Sequence, residues 1–226
     1  MATSLKIRYD DLTTLDALSD KQTEAIQKWK SNDNLILSGS AGTGKTYLAL
    51  HLALSEVLDK STRYDKVIIV RSIVSTRDIG FLPGTEEEKK EVYALPYKSL
   101  CTEMFKDIHD AWNILLHIGK IEFLSTSFVR GQTFNNAILV IDESQNCNFH
   151  ELDSVITRIG KNCRFIMCGD YYQSDLHKKT ERQGVRNFID ILETLKGFRI
   201  IEFTWADIVR SDIVRDYICS KEHLGY

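Results

Sequence analysis

The 226-residue sequence predicts an α/β protein, a three-layer sandwich with a mostly parallel central sheet, and three observations carry that expectation. Short runs rich in Val, Ile, Leu and Phe recur along the chain, the mark of strands buried on both faces. Helical patterns fall between them, which is the alternation of βαβ units. Several runs stop abruptly at glycine or polar residues, and in an open parallel sheet the ligand crevice lies outside those carboxyl ends. With 43% hydrophobic residues and two prolines the chain can bury a sizeable core, and a single domain over residues 1–226 is expected.

Residues 1–18 are mixed in character and are expected at the edge of the domain. Ser19 to Trp29 reads as a helix with Ser19 as N-cap and Gln22 three residues on. Gln22 carries two readings: the reciprocal partner in a capping box, or an amide that pairs with the edge of an adenine.

Asn34-Leu35-Ile36-Leu37-Ser38 is the first buried strand, and Tyr47 to Leu54 the helix that answers it. Between them Gly39-Ser40-Ala41-Gly42-Thr43-Gly44-Lys45-Thr46 fits G-x-x-x-x-G-K-[ST] at every fixed position, in the strand-loop-helix context that the motif requires. The glycines let successive N–H groups turn inward onto phosphate oxygens. Lys45 is expected on the β- and γ-phosphates, and the Thr46 hydroxyl on Mg²⁺. This is the phosphate loop of a P-loop NTPase.

Lys66 to Arg71 is the second strand, ending in polar Arg71 and Ser72. Gly80-Phe81-Leu82-Pro83-Gly84 punctuates the chain, and the charged run Thr85 to Glu91 reads as a solvated helix start. One amphipathic helix is expected from about Tyr97 to Ile118, with its aromatic residues in the core. Ile121 to Leu124 is a third strand, followed by Arg130-Gly131-Gln132-Thr133 where a loop leaves the sheet. Arg130 reads either as half of an ion pair or as a functional charge.

Ala137 to Ile141, the most apolar strand, runs straight into Asp142-Glu143-Ser144-Gln145-Asn146. Two adjacent carboxylates at a strand tip repel, and a magnesium ion supplies the reason for them: Asp142 in the metal's shell opposite Thr46, and Glu143 as general base on the attacking water. Arg164 to Cys168 is a fifth strand, leading through Gly169-Asp170 to Gln173, an amide suited to sense a γ-phosphate or orient water. Asn187 to Leu195 is helical, Arg199 to Phe203 the last strand, and Asp207-Ile208-Val209-Arg210 precedes a final helix. Arg210 reads as a surface ion pair or as a charge that completes an active site.

A net charge of −3 excludes a globally basic nucleic-acid binder but not a local groove of Lys and Arg. The five cysteines, an odd number without a C-x-x-C pair, fit reduced buried thiols better than a disulfide framework or a zinc site. Neither a signal peptide nor a run of ~20 apolar residues is present, so a cytoplasmic protein with no membrane partner is expected, in the host cytoplasm if the chain is phage-encoded.

Taken together, the phosphate loop, Gly80 to Gly84, Arg130 to Thr133, Asp142 to Asn146, Gly169-Asp170 with Gln173 and Asp175, and Asp207 to Arg210 resemble the motifs of the PhoH family, whose members are similar to the first motor domain of superfamily 1 helicases. The resemblance covers about Leu18 to Ile218. Three positions depart from the family pattern: Gln132 where R-G-R-T is usual, Ser144 where D-E-A-Q-N is usual, and Ser211 where a histidine follows the arginine. The resemblance implies a RecA-like ATPase with ATP and Mg²⁺ as cofactors, and adenine over guanine is also taken from it, since no N/T-K-x-D motif occurs. It implies a short, stand-alone form that completes its site in a homo-oligomer, a hexameric ring with Arg210 supplied in trans to the γ-phosphate. The implied partner is single-stranded RNA, or DNA, with Arg71, Arg130 and Thr133 as backbone contacts. The alternative is a nucleotide-gated interaction or assembly protein without motor activity.

Overall fold

The computed structural model describes residues 6–72, 86–170 and 179–224. Thirteen elements are named here: α1 (Asp20–Lys30), β1 (Asn34–Gly39), α2 (Lys45–Leu58), β2 (Lys66–Arg71), α3 (Glu86–Met104), α4 (Ala111–His117), β3 (Ile121–Ser125), β4 (Ala137–Asp142), α5 (Phe149–Ile156), β5 (Arg164–Gly169), α6 (Lys179–Glu193), β6 (Phe198–Phe203) and α7 (Asp212–His223). The six strands form one sheet in the order β3-β2-β4-β5-β1-β6, and every neighbouring pair is parallel.

The period-2 alternation of strand side chains divides the interior into two layers. Leu35, Leu37, Val67, Ile69, Ile138, Val140, Ile166 and Cys168 pack with α2 and with Tyr97, Met104, Trp112 and Leu115. Ile36, Ile68, Val70, Leu139, Ile141, Phe165 and Met167 face the other way, against Leu152 and Val155 of α5 and Val185, Phe188 and Leu192 of α6. This is the three-layer sandwich that the apolar runs predict. Among the described residues no helix is long and apolar enough to cross a membrane.

The single helix expected from Tyr97 to Ile118 is two. The chain leaves α3 at Met104 and re-enters helix only at Ala111, with Asp110 in the left-handed region at φ 59°. Phe105, fully buried in the break, and Met104 keep the apolar spacing continuous across it, which is why the periodicity does not reveal the turn. Helix α3 also carries Pro96 in its interior, a residue that cannot donate a helical hydrogen bond.

Parallel pairing brings the carboxyl ends of all six strands to one edge. Gly39, Arg71, Ser125, Asp142, Gly169 and Phe203 are the last residues of β1, β2, β3, β4, β5 and β6.

Candidate active site

Glycine is required where β1 turns into the phosphate loop. Gly39 has φ 124°, and a Cβ there would stand 1.8 Å from the carbonyl oxygen of Phe203 on β6. Beyond the loop α2 starts at Lys45 with left-handed Gly44 as N-cap and no side-chain cap. The N–H groups of its first turn therefore have no side-chain acceptor, the arrangement in which a helix N-terminus receives phosphate. The residues present fit a nucleotide's phosphates on that ground.

Lys45 is drawn into the loop, donating to the carbonyls of Gly39 at 2.8 Å and Ser40 at 2.7 Å. Burial lowers its pKa, against the opposing pull of Cys168, Asp170, Glu143 and Asp142. Gln22 braces the loop from α1. Its Nε2 donates to the Thr43 carbonyl at 3.0 Å and its Oε1 accepts from Leu18 N at 2.8 Å. Ser19 does cap α1, accepting from Gln22 N, but the reciprocal half of the expected box goes to the Leu18 N–H.

Although β5 lies between β1 and β4, the loop meets the acidic strand directly. Thr46 Oγ1 donates to Asp142 Oδ1 at 2.8 Å, and Tyr97 Oη donates to Asp142 Oδ2 at 2.8 Å. Asp142 is 4% exposed. Among the described residues no cluster of three or more His, Cys, Asp or Glu could hold a metal unaided. A hydroxyl beside one buried carboxylate could instead serve a magnesium ion that brings its own phosphate and water ligands.

Glu143 follows in the left-handed region at φ 51°, which turns its side chain out of the strand's alternation. Burial first, then the Asp142 charge, raise its pKa, while Arg71, the Gln145 amide and Lys45 work to lower it. Gln145 Nε2 donates to Glu143 Oε2 at 2.6 Å, and Gln145 Oε1 accepts from Asp170 N at 3.1 Å, so the exit of β5 is tied to the carboxylate. Gly169 permits that approach, because a Cβ there would fall 2.5 Å from Ser144 Oγ. Ser144, fully buried, donates to the Cys168 carbonyl at 2.7 Å.

Arg71 pairs in register with Asp142, and its guanidinium lies 5.5 Å from the centre of the Tyr93 ring. Burial alone would lower its pKa, but Tyr97, Glu143 and Asp142 outweigh it and the net shift is upward. Arg130 and Thr133 are exposed in the loop between β3 and β4. Arg210 lies beside the phosphate loop of its own chain. Its Cγ would lie 3.1 Å from a Cβ on Gly42, and Val209 N donates to the Gly42 carbonyl at 3.1 Å, so its stem is held over its own chain's loop. The stem is thus placed by its own chain, while the guanidinium end of this exposed residue is open to solvent. Gln173 and Asp175 lie outside the described residues, as does Gly80 to Gly84.

Thus one edge gathers Gly39 to Thr46, Gln22, Asp142, Glu143, Arg71 and Arg210. Sequence reasoning gave no role to Tyr97 or Gln145. The amide at the fourth position of Asp142 to Asn146 was a signal for Gln145, but a tyrosine placed by periodicity alone reads as core.

The chain matches the family model described as PhoH-like protein over residues 14–220. The PhoH-like protein of Mycobacterium leprae is 36% identical over 191 residues, 82% of this chain and 53% of that protein. That of Bacillus subtilis is 32% identical over 203 residues, 87% of this chain and 60% of that one. This chain thus spans between half and three-fifths of the length of these relatives. A Pif1 helicase from Bacteroides, solved in complex with ADP-AlF3 and ssDNA, is a distant structural likeness, with TM-score 0.42 and 16% identity over 93% of this chain and 49% of that chain. The family match takes in the phosphate loop, the acidic strand tip and the Arg210 segment, and on it the chain belongs to the PhoH-like protein family.

Proposed function

We propose that this chain is a Mg²⁺-dependent ATPase coupled to single-stranded nucleic acid, RNA before DNA, of the helicase or remodelling type. The observation that carries the catalytic part is the 2.8 Å contact of Thr46 with Asp142, with Glu143 next along the chain. Bound magnesium would neutralise charge on the phosphates. The protein's part is positional. Lys45 exchanges the Gly39 and Ser40 carbonyls for β- and γ-phosphate oxygens, and the first turn of α2 supplies N–H donors. Glu143, with its raised pKa, takes a proton from the attacking water, while Gln145 holds the orientation of its carboxylate. Arg71 limits the charge of the two carboxylates, and Arg210 stands at the loop. Gln173 remains the proposed γ-phosphate sensor.

Exposed Arg130 and Thr133 support a backbone contact to nucleic acid, because arginine and hydroxyl donors read phosphate without regard to sequence. Arg71 is the weaker candidate, being drawn toward the carboxylates. The test is steady-state ATP hydrolysis at low salt with and without single-stranded RNA, with Glu143→Gln as the blank. Stimulation that fades as salt rises supports the coupling, and turnover indifferent to RNA removes it.

A second reading, a nucleotide-gated protein-interaction factor, is favoured by one observation. Trp205, Ile213 and Tyr217 are 60%, 82% and 68% exposed on the segment that follows β6, continuous with Val209 and Arg210 at the loop. The same surface suits a homo-oligomer, for which we propose a hexameric ring. Light scattering that finds only monomer with and without ATP would remove the ring. Mixing Lys45→Ala with Arg210→Ala subunits tests the arginine: activity regained on mixing means action in trans, and none regained means action in cis.

A further inference from the structure

We propose that Tyr97 is a positioning residue for the metal-facing carboxylate: its buried hydroxyl clamps Asp142 Oδ2 and so aims Oδ1 at Thr46. The inference rests on the reading of this edge as a magnesium-nucleotide site, and deepens it.

The terminal torsion of an aspartate is broad and nearly two-fold, so a strand tip alone does not decide which way the carboxylate plane faces. Here both oxygens are engaged, by two different helices. Oδ1 accepts from Thr46 on the phosphate loop, and Oδ2 accepts from Tyr97 on α3, each at 2.8 Å. The tyrosine is itself held rigidly. It is 1% exposed, its ring stacks on Trp112 with centroids 6.2 Å apart and tilts against Phe123 at 5.5 Å. Cys101 and Met104, buried on the same face of α3, fix the helix against the core beside α4 and β3. The hydroxyl thus arrives at Asp142 on a packed aromatic wall, with no freedom to follow the carboxylate if it turns.

A tyrosine buried only for its bulk needs some acceptor for its O–H, and any carbonyl would serve. This one instead donates to the carboxylate that accepts from the Thr46 hydroxyl. Groups that hydrogen-bond a metal-facing ligand orient it, and their loss typically weakens metal binding by roughly 10–100-fold.

The experiment compares wild type and Tyr97→Phe, which removes only the hydroxyl, for the affinity of a fluorescent ADP analogue in EDTA and in saturating Mg²⁺, with folding followed by circular dichroism. Wild type should bind more tightly with Mg²⁺. If it does not, the magnesium reading itself fails, whatever the variant does. Where that gain is present, Tyr97→Phe should keep its EDTA affinity within about twofold while the Mg²⁺-dependent gain falls by roughly 10–100-fold. In an Asp142→Ala background the same change should have no further effect, as expected if it acts only through that carboxylate. A full Mg²⁺-dependent gain in Tyr97→Phe, an equal loss with and without the metal, or loss of the fold would each overturn the positioning role.

Discussion

Arg164 opens β5 at the amino edge of the sheet, and Asp142 and Glu143 close β4 at the carboxyl edge. Both ends bury charge. Arg164 meets Glu56 at 3.0 Å, donates to the carbonyls of Trp29 and Asp33 at 2.7 and 2.9 Å, and lies over the Trp29 ring. Lys120 works in the same way nearby, donating to the carbonyls of Val57 and Asp65 at 3.1 Å. The opposite signs needed at that edge come from within the chain. At the carboxyl edge two carboxylates of like sign stand side by side, and burial together with Asp142 raises the pKa of Glu143. One edge is a closed joint, while the other, on the proposed function, would gain from a cation and phosphates that come from outside. The difference predicts that substitutions at the amino edge change stability and those at the carboxyl edge change chemistry.

The largest effect should come from Glu143→Gln. Loss of a general base lowers kcat by roughly 10²–10⁴-fold, and nucleotide affinity should be kept. Stability should not fall with it. A carboxyl whose folded pKa is raised loses stability on ionising as pH rises through its titration, so the amide is expected to equal or exceed wild type at pH 7 in urea unfolding. A destabilised Glu143→Gln would put this carboxylate in the same class as the amino-edge charges and break the comparison.

Glu56→Ala is the reverse experiment. It leaves Arg164, with a side chain 6% exposed, without its carboxylate, and should cost about 3 kcal/mol with kcat and KM unchanged. A change in KM of the folded variant would mean that the two edges are coupled. Lys45→Ala should weaken ATP binding by roughly 10–100-fold, the loss of charge-assisted hydrogen bonds to phosphate, as read by equilibrium nucleotide titration.

What the sequence makes legible follows the same division. Strands buried on both faces print themselves as unbroken apolar runs, and all six lie within a residue or two of where Asn34 to Ser38, Lys66 to Arg71 and their counterparts put them. The phosphate loop is legible because its chemistry is local, with eight consecutive residues specifying glycine turns and a lysine. Contacts made at a distance leave no such mark. Tyr97 and Asp142 are 45 residues apart in sequence and Gln22 and Thr43 are 21 apart, so neither hydrogen bond has a spacing to read. The break between α3 and α4 is hidden for a different reason: burial of Phe105 fills the turn with the residue type that a continuing helix would also need.

The pH dependence sharpens the comparison further. As the proposed base, Glu143 must be ionised to accept a proton, and its pKa in the free protein is raised, so the acid limb of kcat/KM should have its midpoint above the ~4.3 of an unperturbed glutamate. In Glu143→Gln the residual rate should lose that limb.

The smallest effect concerns Ser144, which stands where the family usually has alanine. Its hydroxyl adds a 2.7 Å bond to the Cys168 carbonyl and thereby ties the tip of β4 to β5 at the exit leading to Gly169. Ser144→Ala should therefore cost about 1 kcal/mol in urea unfolding, the net worth of one neutral hydrogen bond. Because the backbone N–H of Asp170 still reaches Gln145, the carboxylate of Glu143 should keep its orientation and kcat should move little. A fall in kcat larger than the fall in stability would show that the carboxyl edge depends on this serine for its geometry, and that the chemistry there rests on the β4–β5 contact as much as on the charges.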